Sequence, residues 1–553
     1  MFEIKDDLKH RSALVMTTTS TWFALRNPTF RIIWIASIIS GCCVSAQDTA
    51  ALWVMNRLGS SSFQLSLMAT AAALPFFLFT LPAGAAADTV DRKRMLIGTN
   101  LWLSVSAALL ALIGWNGLIS PPLILVAVFF IGIGFAFNAP TYSSAITDIV
   151  SRQELSSAVT LGGVQMNLGS ILGPAIGGAL LSVIGPYTVF SINSACFLLV
   201  AAAVLAWRRL YCRLPLEKFA QSLIGAIRYV RYTPGVQVVL ARNLLFAIFI
   251  SAIPALLPIV ALKKLHFSPG ELGLVFTSMG IGALLCAVLV LPFGRARLSP
   301  NLLTVIANML LCAVFVVMAL ARVQLLLFVV SGFAGIAWTL AASELWVAAQ
   351  RSMPEWARGR LSAVHMMSSQ GGMALGAIGW GTLVTLTNVD LTLFVAALVL
   401  LPFSLLLRPL SIDFTEHLNV EPSPLPTRFH RFPRFPRPED GPVVIYMDYR
   451  IAPENRESFL AAMHGMRSLM LRNGATTWQL QQDLEDPNRF RMEMLVASWS
   501  EHLRQHERMT KFELKTWEIA ASYHLDGEPV PVQHFLSVDR EVLLLGQTAE
   551  NRR

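Results

Sequence analysis

Two acidic residues lie inside long apolar stretches, where a carboxylate could carry a proton. Asp48 follows Gln47 in the first stretch, and Glu344 lies near the inner end of the tenth. An ionised carboxylate is costly in hydrocarbon, so such a group favours its protonated form and can take up and release a proton as its access to water changes. Asp48 and Glu344 are therefore candidates for proton coupling. For Glu344 an ion pair with Arg351 or Arg358 remains the alternative.

Other polar residues in the apolar stretches could contact a bound molecule. Asn138, Gln165 and Gln370 are candidates for lining a cavity. A hydrogen bond between neighbouring helices is the alternative for each of them, because polar side chains commonly join helices in membranes. Asp148, at the inner end of the fourth stretch, is assigned to a gate or a loop.

The elements that must position these residues are membrane-spanning helices. Of the 553 residues, 54% are hydrophobic and only 14% are charged, and the mean hydropathy is +0.57. An average soluble protein has about 25% charged residues, so a soluble chain is excluded. Stretches of about 20 apolar residues predict spanning helices. Twelve occur, at 30–55, 63–87, 95–117, 121–146, 156–184, 187–207, 236–262, 269–293, 300–320, 323–349, 360–386 and 389–408.

The distribution of basic residues predicts the orientation of these helices. Nearly all Lys and Arg between the spans fall in alternate loops, and the other loops hold only Arg57, Lys263, Lys264 and Arg322. Cytoplasmic loops carry the excess of positive charge. We therefore expect a multi-pass protein of the inner membrane with both termini in the cytoplasm.

Two patterns repeat between the halves of the membrane part. Leu81-Pro82-x-Gly84 ends the second span and Leu291-Pro292-x-Gly294 the eighth, and Ser-Ala-Val with a later Gln opens both the fifth and the eleventh. A duplication of six helices places a substrate site between two halves that move. The predicted regions are an N-terminal segment (1–29), a first half (30–207), a linker (208–235), a second half (236–410), a Pro/Arg-rich linker (411–441), a small domain (442–540) and a tail (541–553).

The small domain is expected to be soluble and cytoplasmic. Its sequence predicts the order strand, helix, strand, strand, helix, strand, with the second helix running through EHLRQHERMTKFELKTWEIAASY. That order is typical of a ferredoxin-like α+β domain.

The loop after the second span contains a motif for a cytoplasmic gate. Gly84, Asp88, Arg92 and Lys93 resemble the pattern G-x-x-x-D-[RK]-x-G-R-[RK] of the major facilitator superfamily, although Thr89 replaces its first base and Asp91 its second glycine. The resemblance implies that these residues latch the cytoplasmic side. An ordinary positively charged loop is the alternative.

A glycine-rich motif lies in the fifth span. Small residues at four-residue spacing allow helices to approach closely, and a proline bends the helix. The motif consists of Gly169, Gly173, Pro174, Gly177 and Gly178. It resembles the antiporter motif of exporters in this superfamily, although the upstream glycine, Gly162 or Gly163, is slightly out of register. The resemblance implies efflux, with plain helix packing as the alternative.

Further segments, including FRIIWIASIIS, FNAP and PEWARGR, resemble the subgroup of transmembrane secretion effectors that contains the enterobactin exporter and macrolide efflux pumps. The resemblance implies a proton-coupled transporter, not an enzyme, that exports a siderophore, drug or metabolite by alternating access. No Walker A motif is present, so ATP is not the evident energy source. The expected partners are the small-molecule substrate, protons and the bilayer, with no nucleic acid, cofactor or metal. A membrane sensor that does not transport is one alternative.

The C-terminal domain resembles the dimeric α+β barrel of antibiotic-biosynthesis monooxygenases, chiefly in EHLRQHER. The resemblance implies a homodimer and a pocket near Trp478, His502 and His506. An active, cofactor-free monooxygenase fused to the transporter is the second alternative. We expect instead an inactive module, because no acid/base group is visible beside the histidines.

Overall fold

The computed structural model describes residues 22–151, 153–207, 219–406, 411–412, 423, 436–525 and 530–537. Among these residues the chain forms two compact units. The first takes in 22–207, 242–345 and 363–406, and the second takes in 219–241, 346–362 and the described residues from 411 onward. The predicted Pro/Arg-rich linker at 411–441 lies mostly outside the described residues.

The membrane part is built from long helices joined by short loops. The first half contains α1 (Pro28–Arg57), α2 (Ser62–Thr89), α3 (Arg92–Trp115), α4 (Pro121–Ile149), α5 (Leu155–Ile184) and α6 (Pro186–Leu205). A separate helix, α7 (Phe219–Arg231), follows. The second half contains α8 (Pro234–Ile250), α9 (Ala252–Ile259), α10 (Pro269–Leu285), α11 (Leu291–Arg295), α12 (Pro300–Leu320), α13 (Gln324–Ser352), α14 (Arg358–Leu386) and α15 (Val389–Leu406), with π-helical turns at Val260–Lys264 and Cys286–Val290.

Side chains at the helix starts explain where several helices begin. Ser61 and Gln64 form a capping box at α2, in which each side chain binds the backbone N–H of the other. Ser268 and Glu271 do the same at α10. Such caps satisfy N–H groups that have no partner within the helix. The short connections therefore fix the boundaries of the spans.

All twelve predicted stretches are helical, but they are not equally suited to the bilayer. Ten helices in the described part of the chain are long and apolar enough to cross a membrane. The eleventh stretch, α14, has more polar residues, and the apolar part of the twelfth is shorter, at Val389–Ser404.

The C-terminal part of the second unit contains a four-stranded antiparallel sheet. Its elements are β1 (Val443–Arg450), α16 (Arg456–Asn473), β2 (Ala475–Gln482), β3 (Arg489–Val496), α17 (Trp499–Arg508), α18 (Lys511–Ser522) and β4 (Val532–Leu536). The strand order is β2-β3-β1-β4. This is the order expected for the predicted split βαβ arrangement.

The prediction of one continuous second helix in this domain was wrong. The helix ends at Arg508, and a new helix starts at Lys511. Thr510 and Glu513 form a capping box, so the backbone N–H groups at this point bind side chains instead of continuing α17.

Candidate functional site

The glycines of the fifth-span motif bring α5 against α1. A Cβ added at Gly173 would lie 2.8 Å from the carbonyl oxygen of Cys42, and one at Gly177 would lie 2.5 Å from the Cα of Ala46. Gly169 also faces Gly41, but a Cβ added there would lie 3.4 Å from the nearest Gly41 backbone atom, which is an ordinary contact distance. At Gly173 and Gly177 only glycine permits the observed approach of the two backbones, so one edge of the motif packs the first half internally.

The other edge of the motif faces the second half. A Cβ added at Gly178 would lie 2.7 Å from the carbonyl oxygen of Pro269, at the start of α10. A Cβ added at Gly273 would collide with the carbonyl oxygen of Pro174. The motif therefore forms part of the contact between the two halves.

Three hydrogen bonds reinforce the contact between the halves. Thr277 Oγ1 donates to the Ile171 carbonyl over 2.9 Å, and Thr70 Oγ1 donates to the Ala374 carbonyl over 3.2 Å. Lys263 Nζ donates to the Ser60 carbonyl over 2.6 Å. Lys263 and its acceptor lie at the ends of the spans opposite to the arginine-rich loops. The halves are thus held together at that end.

The basic residues of the gate motif bind partners in their own half. Arg92 Nη1 lies 2.9 Å from Asp148 Oδ1 and also donates to the Ser144 carbonyl over 3.1 Å. Lys93 Nζ donates to the carbonyls of Leu205 and Trp207 at the end of α6, over 2.8 and 2.7 Å. A cation is favourable there because the carbonyl groups give the helix end a partial negative charge.

The structure describes the side chain of one acidic residue in the gate loop, Asp91, but not that of the other, Asp88. Asp91, which replaces the family's glycine, is the N-cap of α3 and accepts a hydrogen bond from the backbone N–H of Arg94 over 2.9 Å. This explains how the chain tolerates the departure from the motif. Asp88 belongs to the last turn of α2, but its side chain lies outside the described part of the structure. Gly84 is in the same helix, with open space where a Cβ would be.

Asp48 and its neighbour Gln47 point to different environments. Gln47 is buried, and its Oε1 accepts a hydrogen bond of 2.5 Å from Asn193 Nδ2 of α6. Asp48 is exposed, and within the described residues its carboxylate has no hydrogen bond or ion pair. This carboxylate is therefore free to exchange a proton or to contact a cationic group.

Glu344 is paired, but not with either arginine expected from the sequence. Only 2% of this residue is exposed, and its Oε1 lies 2.7 Å from Arg295 Nε. Arg351 is seven residues further along the same helix, or about 10 Å at 1.5 Å per residue, whereas Arg295 comes from the end of α11. Charge spacing along the chain could not reveal this partner.

The three cavity candidates differ in their hydrogen bonding. Asn138 Nδ2 donates to Thr99 Oγ1 over 2.8 Å, which joins α4 to α3. Gln165 Oε1 accepts from Tyr142 Oη over 3.3 Å, which joins α5 to α4. Gln370 is half-buried and has no hydrogen-bond partner among the described residues. The alternative of an interhelical bond applies to the first two, and Gln370 is left as the candidate for contact with substrate.

In the C-terminal domain, the structure adds a third histidine to the two found in the sequence. His502 Nε2 lies 3.0 Å from His534 Nε2, and the His502 ring lies 4.8 Å from the ring of His506. Trp499 closes the cluster, with its ring 5.3 Å from that of His502. His534 comes from β4, thirty-two residues away, and only the pairing of β4 with β1 places it there. No group of His, Cys, Asp or Glu in the described residues is arranged to hold a metal.

Trp478 lies apart from this histidine cluster in the strand order. It is half-buried in β2 opposite Met494, and its Nε1 is buried without a hydrogen-bond partner among the described atoms. Gln505 of α17 contacts the same Met494 through its side-chain amide. The sequence-predicted pocket residues are thus on neighbouring elements, but the described contacts do not join Trp478 to a histidine.

Burial keeps the histidines of the cluster neutral. It lowers the pKa of His502 to about 3, with further lowering from His506 and His534, and it lowers the pKa of His534 to about 4. Burial also lowers the pKa of His506. The cluster is therefore uncharged at neutral pH.

We expect the C-terminal domain to lose stability as the pH falls below about 6.5. These histidines have a lower pKa in the folded domain, so the folded domain binds fewer protons than the unfolded chain. Their contribution to stability is therefore complete above the unfolded pKa, and it is lost as the pH falls toward 4. Each such group contributes a slope of up to about 1.4 kcal/mol per pH unit. Hydrogen exchange in the full-length protein, corrected for intrinsic rates, should show lower protection of residues 490–508 at pH 5 than at pH 7.5.

The control compares two histidine substitutions. His502→Phe should reduce the dependence of protection on pH, whereas His464→Gln, at an exposed site, should not. Equal protection at pH 7.5 and pH 5 in the unmodified protein would contradict the prediction.

Comparison with known proteins places this chain in one family. The family model for transmembrane secretion effectors matches residues 19–542. The chain belongs to this family. Its members and the related proteins are transporters of the major facilitator superfamily rather than enzymes, and the chain is a multi-pass membrane transporter.

Named relatives of this secretion effector are efflux proteins. The enterobactin exporter of Citrobacter koseri is 26% identical over 373 residues, covering 65% of this chain and 86% of the relative. Macrolide efflux protein A of Streptococcus pyogenes is 21% identical over 285 residues, covering 50% and 69%. The multidrug efflux pump Tap of Mycolicibacterium fortuitum is 23% identical, covering 67% and 92%.

Solved structures confirm the fold of the membrane part. A bacterial homologue of the human lysosomal transporter Spinster, in an inward-facing and unoccupied conformation, has a TM-score of 0.56 at 16% identity, covering 70% of this chain and 96% of that one. The nucleoside transporter NupG has a TM-score of 0.55 at 14% identity, covering 69% and 98%. Neither comparison bears on the monooxygenase-like resemblance of the C-terminal domain.

Proposed function

We propose that this secretion effector is a proton-coupled exporter of an amphipathic small molecule, such as a siderophore, drug or metabolite, across the inner membrane. The observation that carries the proposal is the contact of Gly178 and Pro174 with α10, which makes the antiporter-like motif a joint between the two halves. The names of the relatives, which handle enterobactin, macrolides or several drugs, support export and this broad substrate class.

Transport would proceed by alternating access, with the halves rocking about a central site. We assign both termini and the arginine-rich loops to the cytoplasm, and we propose twelve spans, with α14 and α15 as the last two. The present arrangement is then closed on the outside, because Lys263 and Ser60 join the halves at the end away from those loops. It corresponds to an inward-facing state.

The gate motif would act in the opposite state. Arg92 and Lys93 are bound within the first half here. We propose that Asp88, together with these bases and the close approach allowed by Gly84, latches the cytoplasmic side when the exporter opens outward. The expected effect of Asp88→Asn is slower transport with normal expression.

We assign proton coupling to Asp48 first. It is an exposed carboxylate in a spanning helix, and no described group neutralises it. Glu344 is the second candidate, but its ion pair with Arg295 supports a role in holding one conformation of the second half. Gln370 is proposed to contact the substrate.

The C-terminal domain is proposed to be a non-catalytic module that forms a homodimer. Its sheet has one face turned away from the helices, where the rings of Tyr446 and Phe535 lie 5.5 Å apart and Phe535 is exposed. Exposed aromatic residues of this kind are typical of protein interfaces.

Proton movement in everted membrane vesicles tests the proposed export directly. Vesicles with an acidic interior would be challenged with enterobactin, erythromycin and a lipophilic cation. We expect one class of compound to release protons in vesicles containing the protein and not in vesicles lacking it. If none of the three compounds releases protons although the protein is folded, the proposed export is wrong for these classes of compound. That result would favour the alternative of a membrane sensor that does not transport.

A further inference from the structure

The second compact unit joins the C-terminal domain to two segments of the membrane part. One is α7, the helix between the two halves, which contacts α16. Ala226 and Tyr229 of α7 are buried, and Tyr232 packs against the core of the domain. Among the described side chains of this helix, Ala226 and Tyr229 are therefore covered by protein, whereas Ile227 is exposed.

The second segment is the connection between α13 and α14. Tyr229 Oη donates to the carbonyl of Ser352, the last residue of α13, over 3.1 Å. The Tyr229 ring also meets the Trp356 ring edge to face, with centroids 5.9 Å apart. Tyr229 thus ties the inter-half helix to the cytoplasmic connection of the second half.

Two arginines of the C-terminal domain cover this pair of rings. The Arg472 guanidinium lies 5.1 Å from the Tyr229 ring centroid, and the Arg508 guanidinium lies 4.4 Å from that of Trp356. A carboxylate holds each arginine: Glu513 is 2.5 Å from Arg472, and Glu501 is 2.9 Å from Arg508. Cations over aromatic faces are attracted by the ring electrons, and desolvation strengthens the attraction.

A further arginine of α7 takes part in the same charge arrangement. Burial lowers the pKa of Arg228, Glu501 raises it and Arg508 lowers it. Charges of α7 and α17 therefore interact. The contact combines apolar, aromatic and ionic parts, which indicates a specific docking surface.

We propose that the C-terminal domain is a built-in brake, which resists the change between inward-facing and outward-facing states by holding α7 to the α13–α14 connection. The inference rests on the proposed alternating access. The helix between the halves and the cytoplasmic ends of the spans must change their relation when the halves rock. A contact made in one arrangement favours that arrangement by its own free energy.

Two variants on one helix separate docking from general stability. Arg508 and Arg504 both pair with Glu501, over 2.9 and 3.1 Å, but only Arg508 lies over Trp356. In the full-length protein in nanodiscs, we expect Arg508→Gln to raise hydrogen exchange in residues 225–232 by about tenfold, a typical loss for a partly buried cation–π contact. Arg504→Gln should change this exchange little, and both variants should leave β1 and β3 protected from exchange.

A third variant tests the hydrogen bond of Tyr229. Tyr229→Phe keeps the aromatic ring and loses the hydrogen bond to Ser352, so we expect it to raise exchange in residues 225–232 less than Arg508→Gln does.

The balance between inward-facing and outward-facing conformations can be measured without any substrate, from the distance between two spin labels. Spin labels at Arg94→Cys and Ala296→Cys, both exposed and in opposite halves, would be placed in a background with the six native cysteines replaced. We expect Arg508→Gln to enlarge a second distance population several-fold over wild type and Arg504→Gln. If exchange shows release but the distances are unchanged, the domain is only a tether and the brake is refuted. Unchanged exchange in Arg508→Gln refutes the docking surface itself. A distance change without transport of any tested compound supports the brake and counts against the proposed export.

Discussion

Gly178→Ala is expected to reduce transport by at least about tenfold while the protein is still expressed and inserted. The added Cβ would lie 2.7 Å from the Pro269 carbonyl oxygen and 3.1 Å from the Cα of Gly270. Both obstacles are backbone atoms, so a side-chain rotation cannot relieve the contact. Overpacking of this kind costs about 1–3 kcal/mol, and about 1.4 kcal/mol corresponds to a factor of ten. The penalty applies to the arrangement in which the halves meet, so that state is depopulated and the cycle is interrupted.

The matched control is Gly163→Ala in the same helix. No heavy atom lies within 4 Å of a Cβ built at Gly163, so the added methyl meets open space. Initial transport rates in vesicles, normalised to the amount of protein, would be compared for the two variants and wild type. If Gly178→Ala transports at the rate of Gly163→Ala, the contact of Gly178 with α10 has no part in the cycle.

Asp48→Asn is expected to abolish the response of transport to a pH gradient, by about a hundredfold or to the detection limit. The amide keeps the shape of the carboxylate but cannot release a proton, and loss of a group required for proton transfer costs about 10²–10⁴ in rate. Folding should be preserved, because Asp48 is exposed and makes no hydrogen bond or ion pair with the described residues. Exchange of labelled for unlabelled substrate without a gradient should continue, since that process needs no net proton movement.

Asp148→Asn is the control for loss of an acidic residue in the same half. Asp148 pairs with Arg92 at the gate, so its amide variant should slow transport while leaving the rate dependent on the gradient. Glu344→Gln should differ from both variants, because it leaves Arg295 without the carboxylate that lies 2.7 Å away. We expect it to change the balance between conformations of the second half. A normal gradient response in Asp48→Asn would transfer the coupling role to another residue.

The strongest sequence-based predictions concern features encoded over short stretches. The predicted apolar runs coincide with helices in the described residues, ten of which are long and apolar enough to cross a membrane, because bilayer thickness and backbone hydrogen bonding leave few alternatives. The alternating strand patterns of the C-terminal domain located its four strands. The wrong prediction there, a single helix through Arg508 and Lys511, arose because a capping box at Thr510 outweighed the helical pattern on either side.

The pairing of distant residues was decided only by tertiary structure. Gly177 and Gly178 are adjacent in the motif, yet one packs inside the first half and the other on α10. Arg295 as the partner of Glu344, and His534 beside His502, come from elements remote in the chain. Composition and spacing specify which residues lie on one face of a helix or strand, because those depend on a local period. Which face meets which neighbour depends on the packing of whole elements, and no local pattern in a single sequence records it.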